Sequence, residues 1–238
     1  MSEIKPIDIF IVSYERAWLT GRTLRLLRER TKYPHRIFLI DNGGNFENYK
    51  LADIVIENHK NLGIHASWNM ALALAESEYF VTSDNDIFVP DLEPDWLTQL
   101  VGLMDQRLDY GAISLHPHVF IGAESIDPNH PDDVVERNMC GAVMRIMRRS
   151  AVWKAGGWEN KIEAGRNHEE RTICSRLQTA GYKVGITSRI RAYHPFPDNW
   201  GYPSTFTPEM QKHNPELKDY VKSFDRPENY DPKTYLPK

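Results

Sequence analysis

The chain has 238 residues, of which 41% are hydrophobic and 26% are charged. This balance is typical of a soluble globular protein and excludes a fibrous or disordered chain. The 29 basic and 33 acidic side chains give a formal net charge of -4, so no overall positive field favours nucleic acid as a partner. The length allows one domain or two small ones, and we favour one large α/β domain.

The number of cysteines and the length of the apolar stretches indicate the cellular compartment of the protein. Cys140 and Cys174 are the only cysteines, too few for a disulfide framework and not at zinc-site spacing. This favours a reducing compartment, and we expect a cytoplasmic protein. The first apolar stretch has only about seven residues, against the ~18 that a spanning helix needs. We therefore expect no transmembrane segment, while peripheral membrane association stays open.

The first third of the chain alternates between strand-like and helix-like patterns. Compact apolar runs predict β-strands at residues 7–12, 35–40, 53–56 and 79–82. Helix-like segments lie between them at 18–30 and from residue 64 onward. In the second segment one helical face is apolar: Ile64, Trp68, Ala71, Leu72 and Ala75. This alternation predicts a mostly parallel sheet with flanking helices, whose ligands bind at the carboxyl ends of the strands.

The rest of the chain continues the pattern less regularly. We predict the following elements: a helix at 94–107, a strand at 111–115, a long loop at 116–133, a strand at 141–147, a short helix to 155, a helix at 168–180 and a strand at 182–186. Gly181 suits the C-terminal cap of the last helix. The segment 200–238 holds six of the 15 prolines and seven aromatic residues. We expect it to be irregular and to pack on the body or on a partner, which leaves oligomerisation open.

Three of the predicted strands end in polar clusters, where a ligand of such a sheet is expected. The clusters are Ser13-Tyr14-Glu15-Arg16, Asp41-Asn42 and Ser83-Asp84-Asn85-Asp86. Any one of them alone is better explained by turn chemistry, because Asp, Asn and Ser form local hydrogen bonds where strands end. Their shared position at strand ends makes them candidate site residues.

These clusters and later motifs resemble, in order, the glycosyltransferases with the GT-A fold, specifically family 2. The resemblance covers about residues 6–195 and is carried by Ile-Val-Ser-Tyr-Glu-Arg (11–16), Phe-Leu-Ile-Asp-Asn-Gly-Gly (38–44), Asn61-Leu-Gly63 with Asn69, Asp84-Asn85-Asp86, Gly156-Gly157-Trp158-Glu159, His168-Glu169-Glu170, Arg176-Leu177 and Gly181-Tyr182-Lys183. It implies a single Rossmann-like GT-A domain at 1–199, with a nucleotide-binding half at 1–90 and an acceptor and catalytic half at 91–199. The segment 200–238 is then an extension.

The resemblance also implies donor and metal sites. Residues expected to contact the nucleotide sugar are Ser13, Tyr14, Glu15, Asp41, Asn61, Asn69, Asp84 and Asn85. Asp41 would accept the imide N–H of uracil, although the N1–H of guanine is a similar donor, so we favour a UDP-sugar over a GDP-sugar. Mn²⁺ or Mg²⁺ would neutralise the diphosphate leaving group. Its expected ligands are Asp86, His194 and Asp84, and the alternative for His194 is a surface histidine in a proline-rich turn.

An acidic residue is needed to take the proton of the attacking hydroxyl. Glu170 is the candidate base, because it stands six residues before Arg176, where the family carries an acidic residue that is commonly Asp. Neighbours on a helix point about 100° apart, so Glu169 and Glu170 cannot both enter one site. The alternative is that both only complement the helix dipole. Trp158 and Glu159 would line the acceptor side, although Trp158 is equally well explained as core.

We therefore expect a metal-dependent inverting glycosyltransferase, of the hexosyl or a related type, that transfers a sugar to a hydroxyl of a glycan or glycoconjugate. One alternative is a carbohydrate- or nucleotide-binding protein on the same fold without catalysis. Another is a sugar nucleotidyltransferase, for which we would expect a glycine-rich phosphate loop after the first strand, and residues 14–17 are not glycine-rich.

Overall fold

The computed structural model describes residues 5–14, 16–44, 46–117, 126–127, 129–159 and 168–194. The predicted extension at 200–238 and the candidate site residue Glu15 lie outside these ranges. None of the helices within them is long and apolar enough to cross a membrane.

Eight strands in the described ranges form one sheet. They are β1 Ile7–Ser13, β2 His35–Asp41, β3 Ile54–Glu57, β4 Tyr79–Asp84, β5 Tyr110–Pro117, β6 Val134–Arg137, β7 Arg145–Arg148 and β8 Lys183–Ala192. Their spatial order is β3-β2-β1-β4-β7-β5-β8-β6. Strand β1 pairs in parallel with β2 and β4, β2 with β3, and β5 with β8. Strand β7 runs antiparallel between β4 and β5, and β6 runs antiparallel on the β8 edge.

Helices connect the strands and cover the sheet. They are α1 Ala17–Arg30, α2 Ile64–Leu74, α3 Trp96–Gln106, α4 Arg149–Lys154 and α5 His168–Thr179, with a 3₁₀ segment at Phe46–Leu51. Asp95 caps α3 by accepting the N–H groups of Leu97 and Thr98. Gly181 has φ of 90° after α5, the left-handed conformation expected of a glycine cap.

The core has two layers, one on each face of the sheet, because successive strand residues point to opposite faces. Ile9 of β1 packs on the same side as Leu24 of α1. The next residue, Phe10, packs on the opposite side with Trp68 of α2 and Ile173 of α5. The fold is therefore the predicted α/β class, with a mostly parallel sheet flanked by helices.

The second half differs from the sequence-based prediction in two places. The strand predicted at 141–147 begins only at Arg145, because the preceding residues form a turn in which Met144 has a left-handed φ of 44°. Strand β6 at Val134–Arg137 was not predicted, since a four-residue edge strand with two charged residues has no clear apolar pattern.

Candidate functional site

The carboxyl ends of β1 and β2 are joined by side-chain hydrogen bonds. Oγ of Ser13 donates to Oδ1 of Asp41 at 3.1 Å. The same carboxylate accepts the Gly43 N–H at 3.0 Å and the Tyr49 hydroxyl at 2.8 Å. Burial and the neighbouring Asp41 raise the pKa of Tyr49, which keeps its hydroxyl a donor. Asp41 is fully buried, and the reading of a nucleobase by this carboxylate stays a prediction.

Tyr14 follows β1 and is 49% exposed. Its position beside the strand end and its exposure leave its ring accessible. The expected contact of Tyr14 with the nucleotide sugar, for which an accessible aromatic ring suits stacking on the base, stays a prediction.

The Asp84-Asn85-Asp86 segment leaves the end of β4 and is fixed on α1. Nδ2 of Asn85 donates to Oγ1 of Thr20 at 2.8 Å, and its backbone oxygen accepts the Thr23 hydroxyl at 2.9 Å. The Asn85 side chain is therefore used to anchor the segment, and the two acidic residues flank that anchor.

Asp86 lies between two cationic side chains. It is only 3% exposed, its Oδ2 is 2.7 Å from Nη1 of Arg16, and its Oδ1 is 3.4 Å from Nε2 of His194. No role was predicted for Arg16 from the sequence, although its position in the first polar cluster made it a candidate site residue. His194 was expected near Asp86, and the structure brings the two together although they are 108 residues apart in the sequence.

Charge–charge interactions set the protonation of this cluster. Burial alone would raise the pKa of Asp86, but the charges of His194 and Arg16 outweigh it and lower that pKa. Burial alone would lower the pKa of His194, but the carboxylates of Asp86, Asp84 and Glu170 outweigh it and raise that pKa. The pair is therefore stabilised in its charged form.

The backbone of Asp84 is linked to the side chain of Glu170 through the backbone of one residue, Ala142. The Asp84 N–H donates to the Ala142 oxygen at 3.1 Å, and the Ala142 N–H donates to Oε1 of Glu170 at 2.8 Å. Burial, Asp86 and Glu170 raise the pKa of Asp84 to about 8. Burial also raises the pKa of Glu170, although Arg145 and the Ala142 N–H act in the opposite direction.

Glu169 is placed differently from its neighbour on α5. Both residues are half-buried, but the charge of Glu169 has a smaller influence on the pKa of Asp84 than that of Glu170. Only Glu170 is held by the turn that follows Cys140. This contact agrees with the sequence-based preference for Glu170, and its role as the base stays a prediction.

Four other predicted site residues have structural contacts. Asn61 is exposed and its Oδ1 accepts the Gly63 N–H at 2.8 Å before α2. Asn69 holds the Trp158 backbone, since its Nδ2 donates to the Trp158 oxygen at 2.9 Å and its Oδ1 accepts the Trp158 N–H at 3.0 Å. Glu159 lies 3.1 Å from Nη2 of Arg176.

The expectation that Trp158 lines an accessible acceptor surface is not met in this structure. Trp158 is 2% exposed and packs on Trp68 with ring centroids 5.6 Å apart. The alternative of a core tryptophan describes it, because the Asn69 contacts turn the residue inward.

The side chains of this cluster are suitable ligands for a divalent cation, although the described residues do not form a complete metal site. Nowhere in the described ranges are three or more His, Cys, Asp or Glu side chains grouped to hold a metal. Within the same ranges, Nδ1 of His194 is buried without a hydrogen-bond partner, and the buried Oδ1 of Asp86 lies 3.4 Å from Nε2 of the same histidine. A carboxylate and an imidazole are suitable ligands for Mn²⁺, and Mg²⁺-type sites use one or two carboxylates plus substrate phosphates. The residues therefore fit a metal that binds together with a diphosphate.

The mostly parallel sheet with helices on both faces is consistent with the fold of GT-A glycosyltransferases. The family model described as glycosyl transferase family 2 matches residues 8–156. The chain belongs to glycosyl transferase family 2. A comparison with curated proteins gives no match.

Solved glycosyltransferase structures share this fold. TarS from S. aureus in complex with UDP has a TM-score of 0.63 at 12% identity, over 81% of this chain and 61% of that chain. Mannosyltransferase PcManGT from Pyrobaculum calidifontis, in complex with GDP-Man and Mn²⁺, has a TM-score of 0.64 at 14% identity, over 95% and 67%. GalNAc-T7 with UDP, GalNAc and Mn²⁺ has a TM-score of 0.66 at 14% identity, over 93% and 48%. The chain thus spans less than two thirds of the TarS structure that it matches.

Proposed function

We propose that the protein is a metal-dependent, inverting glycosyltransferase that transfers a sugar from a nucleoside-diphosphate sugar to a hydroxyl acceptor. The observation that carries this proposal is the backbone of Ala142, which accepts the Asp84 N–H at the end of β4 and donates to Glu170 on α5. A group that handles the leaving diphosphate and a group that takes a proton are both needed in one site, and Ala142 connects the segment that carries Asp84 to Glu170.

Glu170 is the general base in this proposal. As the acceptor oxygen bonds to the anomeric carbon, its proton passes to the Glu170 carboxylate and the bond from that carbon to the diphosphate oxygen breaks. The products are the glycoside, the nucleoside diphosphate and the protonated carboxyl. Burial of Glu170 favours this role, because a raised pKa makes a carboxylate a better proton acceptor near neutral pH.

Asp86 and His194 would hold the metal, and Asp84 would assist through the ribose or through water. A bound divalent cation would supply charge neutralisation at the diphosphate leaving group. The structures of PcManGT and GalNAc-T7 were obtained with Mn²⁺, which supports the same metal here.

We propose a UDP-sugar as the preferred donor. The support is the position of Asp41 at the carboxyl end of β2, where a carboxylate can accept the imide N–H of uracil. In this proposal residues 1–90 bind the nucleotide, residues 91–199 bind the acceptor, and the acceptor is a hydroxyl of a glycan or glycoconjugate.

Calorimetry and donor turnover test the proposal. UDP and GDP are titrated with and without Mn²⁺, and release of nucleoside diphosphate is followed for a panel of UDP- and GDP-sugars. We expect Mn²⁺-dependent binding and slow donor hydrolysis even without an acceptor. Metal-independent or absent nucleotide binding would refute the metal assignment. Tight binding without any turnover, with glycan acceptors added, would favour the non-catalytic binding protein.

The stereochemistry of the product provides a separate test. A single displacement inverts the anomeric configuration, which NMR coupling constants report. A product with retained configuration would exclude Glu170 as the base of a direct transfer.

A further inference from the structure

Arg145 is a fully buried cation without a carboxylate partner among the described residues. It opens β7, within an otherwise apolar stretch of sequence. Its Nη2 has no hydrogen-bond partner in the described part of the chain. An ionised group in such a place is expensive to bury, and replacing it by an apolar residue of similar volume is often neutral for stability. Stability therefore does not explain why this guanidinium is here.

Two tryptophan rings hold the guanidinium. Its Cζ lies 4.8 Å from the ring centroid of Trp68 and 5.8 Å from that of Trp158. Cation–π contacts of this kind are strong when the cation is desolvated. The two rings also pack on each other, so the guanidinium position is fixed by α2 and by the turn that contains Trp158.

From this position Arg145 closes the turn that carries Ala142. Nη1 donates to the Cys140 oxygen at 3.3 Å, and Nε donates to Oγ1 of Thr82 on β4 at 3.3 Å. The Cys140 oxygen also accepts a weak hydrogen bond from Cys174, 3.6 Å away on α5. The turn is thus fastened to β4 on one side and to α5 on the other.

The same turn presents the backbone oxygen of Ala142 to the Asp84 N–H and the Ala142 N–H to Glu170. Arg145 is also the strongest of the positive influences on Glu170. Arg145 donates hydrogen bonds to Cys140 in the turn and to Thr82 on β4. Its charge acts on the Glu170 carboxylate without an ion pair among the described residues.

We propose that Arg145 is a positioning residue for the proton acceptor: it fixes the turn at 140–145 so that the Ala142 N–H holds Glu170 in its working orientation. This inference rests on the proposed function, because it takes Glu170 as the base. Arg145 touches neither reacting group and acts through Ala142. A displacement of about 1 Å at a catalytic group can lower a rate by ~10²-fold.

Arg148 offers a matched control on the same strand. It is also buried, lies 5.1 Å from the Tyr79 ring centroid, and donates to backbone oxygens including that of Met104 at 3.0 Å. Its contacts lie toward α3 and the start of β5, and none of them involves Ala142. Arg148→Met therefore removes a buried cation without touching the turn.

The experiment compares Arg145→Met, Arg145→Lys and Arg148→Met in the full chain. Donor turnover with Mn²⁺ gives kcat and KM, and amide hydrogen exchange reports on Ala142. For Arg145→Met we expect kcat to fall about 10–100-fold with the donor KM within about threefold, and Ala142 exchange to accelerate at least about tenfold. Arg145→Lys keeps the charge and one donor, so its kcat should lie between. Arg148→Met should keep kcat within about twofold.

Unchanged kcat and Ala142 exchange in Arg145→Met would overturn the inference, and so would an equal kcat loss in Arg148→Met. If Arg145→Met does not fold, Thr82→Val is measured instead. It removes the Nε acceptor and the weak contact of the Thr82 hydroxyl with Sδ of Met147 at 3.8 Å, and it should reduce kcat and Ala142 protection in the same direction. If the wild-type protein shows no turnover at all, the proposed function fails. Ala142 exchange then decides the inference alone: selective acceleration in Arg145→Met supports it, and unchanged exchange overturns it.

Discussion

Replacing Glu170 by glutamine removes the proposed proton acceptor with little change in shape. The amide oxygen of glutamine can still accept the Ala142 N–H, which is 2.8 Å from Oε1 in the structure. General-base catalysis contributes ~10²–10⁴-fold to a rate, and each tenfold corresponds to about 1.4 kcal/mol. We therefore expect Glu170→Gln to raise the activation free energy by about 2.7–5.5 kcal/mol.

The folded state should tolerate this change. Burial raises the pKa of Glu170, so a neutral side chain is less costly to bury than the carboxylate. We expect the thermal midpoint to stay the same or rise. Removing this charge should also lower the pKa of Asp84, for which Glu170 is one of the causes of the value of about 8.

The assay is release of nucleoside diphosphate from the best donor, measured as kcat and KM, with calorimetry for donor binding. Glu169→Gln is the matched control, because it makes the same chemical change one residue away. We expect Glu170→Gln to lose kcat with donor binding nearly unchanged, and Glu169→Gln to lose much less. A large loss for Glu169→Gln with a small loss for Glu170→Gln would refute the reasoning.

Three further predictions concern buried ionisable side chains and their effects on stability and on nucleotide binding. The pKa of Asp84 is raised to about 8 in the folded protein. Its neutral form therefore contributes stability near pH 4, and this contribution is lost as the pH rises through 8, by up to about 1.4 kcal/mol per pH unit. In urea unfolding, the free energy of unfolding of Asp84→Asn should depend less steeply on pH. Asp86→Ala and His194→Ala should each weaken Mn²⁺-dependent UDP binding at least about tenfold in calorimetry. Asp8 is fully buried and accepts hydrogen bonds from Arg36 at 2.7 and 3.0 Å, so Asp8→Ala should destabilise the protein by about 3 kcal/mol in urea unfolding.

Each of these has a control or a contradicting result. An unchanged slope of stability against pH in Asp84→Asn would mean that this residue titrates normally. A metal-bound crystal structure with Nε2 of His194 well beyond ~2.0–2.3 Å from the ion would remove it from the metal shell. The exposed pair Arg28–Asp53, at 2.7 Å, is the control for Asp8: Arg28→Ala should cost less than about 1 kcal/mol. Similar losses in the two variants would contradict the role of burial.

The sequence was most informative where burial alone dictates the local pattern. The apolar runs at 7–12, 35–40 and 79–82 predicted β1, β2 and β4, because a strand covered on both faces must be apolar along its length. The polar residues that follow such runs then fall at the carboxyl edge of the sheet. This reasoning placed Asp41, Asp84 and Asp86 there, and the motif resemblance paired Asp86 with His194.

The sequence was least informative where contacts join distant segments. It gave no basis for the antiparallel insertion of β7 between β4 and β5, because strand pairing depends on the path of the whole chain. It also gave no role to Arg16, whose partner Asp86 follows a different strand. A lone arginine within the apolar residues 142–147 was a visible signal, but its partners Trp68 and Trp158 could not be inferred.

Glu169 and Glu170 illustrate the same difference between what the local sequence predicts and what contacts between distant segments add. Sequence spacing put both residues at the start of α5 and showed that only one could enter the site. In the tertiary structure the backbone N–H of Ala142 donates to Glu170, and this contact supports Glu170 as the proposed base. Local sequence determines which residues reach the edge of a sheet, but only the folded chain determines which hydrogen bond orients a side chain, because its donor comes from another segment.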